Sequence, residues 1–121
     1  MRLSLMAVAL AALATPALAA DADRGKTLFQ RQCAVCHQVA QPRNGVGPHL
    51  QGIVGRASAS PQGFGYSPAL KGAGIQWTPD QLDAYLENPT SKVPGTRMAV
   101  RVASDSDRAD IIAFLQGSAA P

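Results

Sequence analysis

Apolar positions recur at helical spacing near the start of the chain, directly after two acidic residues. The stretch runs from Ala22 to about Gln32 and carries Leu28 among its apolar positions. Asp21 lies directly before it, and Asp23 lies in its first turn. Acidic side chains are favourable at a helix N-terminus, where the backbone N–H groups point outward. The pattern therefore predicts a first helix over this stretch.

A second helix is predicted after the sequence Thr-Pro-Asp-Gln at positions 78–81. This is a capping box with proline at the first helical position. Leu82, Tyr85 and Leu86 then fall on one face, as an amphipathic helix requires. The Asn88–Pro89 dipeptide is expected to end the helix.

The last predicted helix begins with the capping sequence Ser-Asp-Ser-Asp at positions 104–107. Ile111, Ile112 and Leu115 line one side of it, and Gly117 ends it. The chain thus has three main helices, one of them close to each end.

Loops dominate the rest of the chain. Segment 44–65 is rich in Gly, Pro and Ser and has no sustained period, while Ser67 and Pro68 begin a short helix that ends at Gly72. The stretch 88–98 contains two prolines and a glycine, which argue against a regular helix or a central strand there. Such long loops are unusual in a compact domain unless they surround something.

The N-terminal residues have the features of a secretory signal peptide. A short positive start, Met1–Arg2, precedes the apolar run Leu3–Ala14, and Ala17-Leu18-Ala19 offers small residues for cleavage. An uncleaved membrane anchor is the alternative, but the run is shorter than the roughly 20 residues that span a bilayer. We expect residues 1–19 to be removed and residues 20–121 to form one exported, soluble, periplasmic domain.

Composition and charge narrow the function classes. The 121 residues include eleven Gly, nine Pro and only two Cys, so a disulfide scaffold is excluded and one small domain is expected. Without Arg2, ten basic side chains face eight acidic ones, a net charge of +2 that does not suggest nucleic-acid binding. In an oxidising compartment the two cysteines must be bridged, modified or bound.

The two cysteines stand in the sequence Cys33-Ala34-Val35-Cys36-His37, for which three explanations compete. A thioredoxin-like redox pair needs a βαβ context, and no strand pattern precedes Cys33. A zinc site needs more ligands, and the only other histidine, His49, lies at a spacing unlike that of zinc fingers. In the third explanation the thiols bond to the two vinyl groups of one haem, with His37 as the proximal iron ligand. Covalent haem fits best, and a haem core also explains the loops.

A second protein ligand on the iron would indicate an electron carrier. Its absence would indicate a haem protein whose iron has an open position for a substrate or gas. Met98 is the only methionine that remains after loss of the signal peptide, and it ends the Pro- and Gly-containing stretch 88–98. On composition alone, an isolated methionine is more often a gap-filling core residue. A loop this constrained by proline and glycine, however, is expected to present a side chain rather than pack a helical face. His49 is a rival ligand, but we expect it to be an exposed loop histidine.

The mature chain resembles the class I c-type cytochromes, most closely the group of mitochondrial cytochrome c and bacterial cytochrome c2. The resemblance runs from about Asp23 to Leu115 and rests on motifs at these positions: 33–37, Gly47-Pro48, Gly55-Arg56, 63–67, 74–77, 85–89, 94–98 and 108–115. It implies a small all-α fold in which three main helices, short helices and long loops wrap one covalently bound haem. It also implies that Gly25 and Phe29 pack on Ile111 and Phe114.

The resemblance implies the following ligand set. Cys33 and Cys36 would hold one haem c by thioethers. His37 would be the proximal iron ligand and Met98 the distal one. The Pro48 carbonyl would accept a hydrogen bond from the other ring nitrogen of His37.

Five further residues are assigned to the haem surroundings by the same resemblance. Arg56, Tyr66 and Trp77 would bond to a haem propionate. Tyr85 and Thr96 would place hydroxyls near the methionine sulfur and the buried propionate. Without the resemblance, plain core packing would be the better explanation of the aromatic residues.

The implied function is one-electron transfer by a monomer that docks its haem edge on membrane redox complexes. The donor would be of the bc1 type and the acceptor an oxidase or a photosynthetic reaction centre, with no catalytic residue, small-molecule substrate or nucleic acid. The alternatives are a haem enzyme or gas sensor with labile Met98, and a subunit tied to one oxidase or dehydrogenase.

Departures from the family pattern bear on docking. Gln32, Thr90 and Ser91 stand where lysines are common, so we expect weaker electrostatic steering and a modest salt dependence. Lys92, Arg97 and Arg101 keep positive charge near Met98, while acidic residues on the last helix are expected to form a solvated face. Val100 stands where an aromatic residue is common.

Overall fold

The computed structural model describes residues 8–12 and 19–118. Five helices follow one another in this part of the chain: α1 (Ala22–Gln32), α2 (Pro68–Lys71), α3 (Pro79–Glu87), α4 (Pro89–Lys92) and α5 (Asp105–Gln116). No strand occurs among the described residues, although an isolated antiparallel bridge pairs Ala57 with Gln76. The all-α prediction with three main helices is confirmed. Most of the proposed signal peptide lies outside the described residues.

Polar side chains fix where the helices begin, as the sequence indicated. The hydroxyl of Ser67 accepts from the Leu70 N–H at the start of α2, and Thr78 and Ser104 cap α3 and α5 in the same way. The carboxylate of Asp21 caps α1. Each cap satisfies a backbone donor that the first helical turn leaves without a partner.

The expectation that residues 88–98 exclude helix is wrong at the start of the stretch. Asn88 ends α3 and also caps α4, where its side chain accepts from the Ser91 N–H at 3.3 Å. Pro89 is the first residue of α4, a position where its missing N–H costs nothing and its fixed φ suits the helix. The remaining residues up to Met98 are non-helical, as expected.

The two terminal helices cross in close contact, which confirms the packing implied by the resemblance. A Cβ atom on Gly25 would lie 1.8 Å from the Asp110 carbonyl oxygen and 3.0 Å from the Ile111 nitrogen, so only glycine fits at the crossing. Beside it, the rings of Phe29 and Phe114 have centroids 5.4 Å apart. The contact joins both ends of the domain.

Ion pairs hold the same crossing from outside. Arg24 on α1 contacts the carboxylates of Asp107 and Asp110 on α5, each at 2.7 Å. Asp110 also accepts from the Asp21 backbone N–H, and these bonds lower the pKa of its carboxyl group. Two of the acids expected on a solvated face therefore form interhelical contacts.

A buried arginine joins α3, α5 and the chain between them. Arg108 is 3% exposed; its Nε donates to Asp83 at 2.8 Å and a terminal nitrogen pairs with Asp105. Nη1 donates to the carbonyls of Val102 and Ala103 at 2.8 and 3.0 Å. The segment that leads into α5 is thereby fixed to both helices.

The hydrophobic residues surround a cavity rather than filling the interior. It measures about 440 Å³ and is lined by residues from α1, α2, α3, α5 and the intervening loops. Buried lining residues include Ile53, Trp77, Leu82 and Ile111. Among the described residues, no helix is long and apolar enough to cross a membrane.

Candidate functional site

The C-x-x-C-H sequence forms a turn directly after α1. Cys33 caps the helix, its N–H donating to the Phe29 carbonyl at 2.8 Å. The chain then folds back, so that the N–H groups of Cys36 and His37 both donate to the Cys33 carbonyl, at 3.1 and 2.9 Å. All three motif side chains line the cavity.

The His37 ring is held in one orientation. Its Nδ1 lies 2.7 Å from the Pro48 carbonyl oxygen, which can only accept, so Nδ1 carries the proton and Nε2 keeps a lone pair for a metal. Burial lowers the pKa of His37, against the opposing effect of the Pro48 bond, and so favours the neutral, ligating form. The His37–Pro48 contact expected from the resemblance is present.

Gly47 is a part of the site that the sequence analysis did not assign. A Cβ atom there would lie 2.4 Å from Cε1 and 2.7 Å from Nδ1 of the His37 ring. The Gly47 N–H also donates to the Cys36 carbonyl at 2.8 Å. Because glycine has no side chain, the backbone at position 47 can pack directly against the imidazole. The sequence alone does not reveal this close contact.

The environment of Cys33 is unlike that of a redox thiol. Burial, and to a smaller extent Cys36, raises the pKa of the free Cys33 thiol to about 11. A cysteine that attacks disulfides needs its pKa lowered instead. The described residues also contain no cluster of three or more His, Cys, Asp or Glu side chains for a bare metal ion.

Met98 lies on the wall of the same cavity. It is half-buried against the hydrophobic core, and Thr96, two residues before it, is bonded to Tyr85: Tyr85 Oη and Thr96 Oγ1 are 2.6 Å apart. Burial raises the pKa of Tyr85, so its hydroxyl remains protonated. The two hydroxyls are hydrogen-bonded to each other, and both residues line the cavity.

Arg56 and Tyr66 each present a buried polar atom that has no partner among the described residues. Arg56 is anchored by bonds from Nη1 to the Gln51 carbonyl and from Nη2 to the His49 carbonyl, at 3.1 and 3.0 Å, yet its Nε is unpaired. The Tyr66 hydroxyl is unpaired as well. Both residues line the cavity. Buried donors without partners are rare in native proteins and point to a missing acceptor.

The two remaining candidates differ in their surroundings. Trp77 is buried on the cavity wall, its ring centroid 5.0 Å from that of Tyr85. His49 is half-buried rather than exposed, and its Nδ1 is buried without a partner in the described part of the chain. The backbone N–H of His49 donates to Asn44 Oδ1 at 3.0 Å, and Asn44 Nδ2 donates to the Gln62 carbonyl. The sequence analysis did not identify Asn44, whose side chain links two parts of the long loop through these hydrogen bonds.

The residues present fit a haem. The cavity is mostly apolar, two cysteines and a neutral histidine lie on its wall, and unpaired donors are available to a carboxylate group. The fold and the site together define a small all-α protein that carries a covalently attached haem.

Comparisons with known proteins agree with this class. The family model described as Cytochrome c matches residues 22–119. Cytochrome c2 from Rhodomicrobium vannielii is 42% identical over 116 residues, which cover 94% of this chain and 92% of that protein. Cytochrome cy from Rhodobacter capsulatus is 46% identical over 96 residues, 78% of this chain, but the match spans only 48% of its length.

A solved structure shows the same fold. Cytochrome cH from Methylobacterium extorquens superimposes with a TM-score of 0.74 at 38% identity, covering 79% of this chain and 97% of that one. The chain belongs to the Cytochrome c family, as a class I c-type cytochrome that binds covalently attached haem c. Members of this family are electron carriers.

Proposed function

We propose that this protein is a soluble periplasmic one-electron carrier whose haem iron is ligated by His37 and Met98. The observation that carries the proposal is the common cavity wall: His37, fixed by the Pro48 carbonyl, lines the same cavity as Met98. Two protein ligands would leave no iron position for a substrate, and a thioether ligand raises the reduction potential. The haem supplies the one-electron redox couple.

The roles of the chain follow from this arrangement. Cys33 and Cys36 tether the haem, and Pro48 fixes the His37 ring. Arg56 and Tyr66 bind a propionate through Nε and the hydroxyl that are otherwise unpaired. Trp77, Tyr85 and Thr96 surround the haem, and the apolar lining keeps water away from it.

The proposal extends to location and processing. We propose that residues 1–19 are a cleaved signal peptide and that residues 20–121 work in the periplasm. The charged start, the apolar run and the small residues at positions 17 and 19 support it. Similarity to proteins named cytochrome c2 also supports it.

The partners are membrane redox complexes, a bc1-type donor and an oxidase or photosynthetic reaction centre. They would dock at the cavity mouth, where Val46 and Val100 lie on the lining and are 77% and 54% exposed. Thr90 and Ser91 are exposed and uncharged in the chain before Met98. Apolar contact, with weaker charge steering than a mouth ringed by lysines would give, is therefore the expected mode of docking.

Electron transfer to such a complex tests this proposal. The second-order rate constant is expected to fall less than about tenfold between low salt and roughly 0.5 M salt, because few charges steer the encounter. With a partner whose docking face is acidic, a double variant, Thr90→Lys with Ser91→Lys, is expected to raise the rate at low salt and steepen its salt dependence. The matched control adds the same charge on exposed positions of α5, Ala109→Lys with Gln116→Lys.

Three results would contradict different parts of this proposal. A rate that falls a hundredfold or more in the unaltered protein would contradict apolar docking. Equal salt slopes for the two double variants would mean that the partner does not dock near Thr90 and Ser91. Absence of electron exchange with any such complex, in a protein that consumes peroxide, would overturn the carrier function.

A further inference from the structure

The segment Met98–Val100, here named the Met98 strap, lacks hydrogen bonds of its own. No bond to its backbone occurs within the described residues. Ala99 and Val100 are exposed, and Met98 is half-buried against the core. Apart from the proposed bond to the iron, only apolar packing and the two ends of the strap can therefore keep Met98 on the cavity wall.

An arginine secures the N-terminal end of the strap. Arg97 Nη1 donates to the Gly65 carbonyl at 2.9 Å, which joins the strap to a loop distant in sequence that also lines the cavity. Just before it, the Thr96 N–H donates to the Val93 carbonyl at 3.0 Å. The Thr96 hydroxyl is also bonded to Tyr85 Oη at 2.6 Å, so Arg97 adds to this end a tie that reaches Gly65.

A second arginine secures the C-terminal end. Arg101 Nε donates to the carbonyl of Glu87, the last residue of α3, at 2.9 Å. Carbonyls at a helix C-terminus lack backbone partners and carry partial negative charge, so a cation is favourable there. The next residue continues the contact, because the Val102 N–H donates to the Leu86 carbonyl at 2.9 Å.

Neither arginine is engaged by an acid. Arg97 and Arg101 are exposed, and the ion pairs in the described part of the chain involve only Arg24 and Arg108. Each guanidinium group instead donates to a backbone carbonyl, one at each end of the strap. A hydrogen bond from a charged donor is stronger than one between neutral groups.

We propose that Arg97 and Arg101 are positioning residues that hold the Met98 strap closed and so limit replacement of Met98 by an added ligand. The inference rests on the proposed ligation by Met98. An entering ligand binds only the fraction of molecules in which the strap is open, so its apparent affinity scales with that fraction. Loss of either bond raises the open fraction.

Imidazole titration of the ferric holoprotein measures this directly. Displacement of Met98 is followed by loss of the weak far-red band that arises from methionine-to-iron charge transfer. Arg97→Ala and Arg101→Ala are each expected to raise the apparent imidazole affinity about three- to tenfold, from the net value of one hydrogen bond. Arg97→Lys, which keeps a cationic donor, is expected to restore affinity close to that of the unaltered protein.

Arg43→Ala is the matched control. Arg43 is exposed and has no hydrogen bond or ion pair among the described residues, so its removal changes charge alone and is expected to leave imidazole affinity unchanged. Amide exchange gives an independent readout: the Val102 N–H is expected to exchange faster in Arg101→Ala than in Arg43→Ala.

Each failure has its own signature. If the unaltered ferric protein lacks the far-red band, the proposed Met98 ligation is wrong. If the band is present but both alanine variants bind imidazole like the unaltered protein, the strap inference is overturned. Lower global stability with unchanged imidazole affinity would also overturn it, since the arginines would then be merely structural.

Discussion

A double variant with alanine at Cys33 and Cys36 is expected to lack covalent haem and to be largely unfolded at 25 °C. The cavity of about 440 Å³ lies where a core would be, so without haem its apolar lining residues would face water. The entire stability of a small domain is only about 5–15 kcal/mol, so exposure of this much apolar surface is expected to unfold it. Far-ultraviolet circular dichroism and thermal melting measure the loss.

The control for this variant lies between the two cysteines. Val35 is 81% exposed, so Val35→Ala is expected to bind haem and melt cooperatively like the unaltered protein. The account would be contradicted by a haem-free double variant that keeps native helix content and melts in one cooperative transition.

The second large effect is expected at the crossing of α1 and α5. In Gly25→Val the new Cβ atom would lie 1.8 Å from a backbone oxygen of α5, so the helices must move apart. Overpacking typically costs about 1–3 kcal/mol, and a clash with backbone belongs at or above the upper end of that range. Guanidinium unfolding of the holoprotein measures the free energy of unfolding.

Gln30→Val is the matched control for Gly25→Val. Gln30 is exposed on the same helix, so this substitution carries the helical cost of a β-branched residue, a few tenths of a kcal/mol, without any clash. A difference between the two variants smaller than about 0.5 kcal/mol would show that the helices do not meet as closely as described.

The helix positions could be predicted because their signals are local. Caps such as Ser67, Thr78 and Ser104 act within one turn, and each begins its helix as expected. The error at α4 came from treating Pro89 as a breaker without considering that Asn88 could cap a new helix. Asn88 both ends α3 and caps the start of α4. Local sequence rules do not decide which of these two roles a residue has.

The candidate site was predictable where its residues are adjacent in the chain and incomplete where they are not. The spacing of Cys33, Cys36 and His37 limited the chemistry to a few explanations, among which the missing strand pattern and the long loops favoured haem. The fit of Gly47 against the His37 ring and the half-burial of His49 depend on how a long loop closes, which has no periodic signal. Likewise, pairing of Asp107 and Asp110 with Arg24 depends on the helix crossing.

The central claim, an electron carrier with His37 and Met98 at the iron, is tested most directly by visible absorption of the purified protein. Spectra are taken in the ferric and dithionite-reduced states, for the unaltered protein and for Met98→Ala. The account predicts a low-spin reduced spectrum and a far-red charge-transfer band in the ferric state that Met98→Ala loses. A high-spin ferrous spectrum that shifts readily with carbon monoxide would contradict it and would favour a haem enzyme or gas sensor.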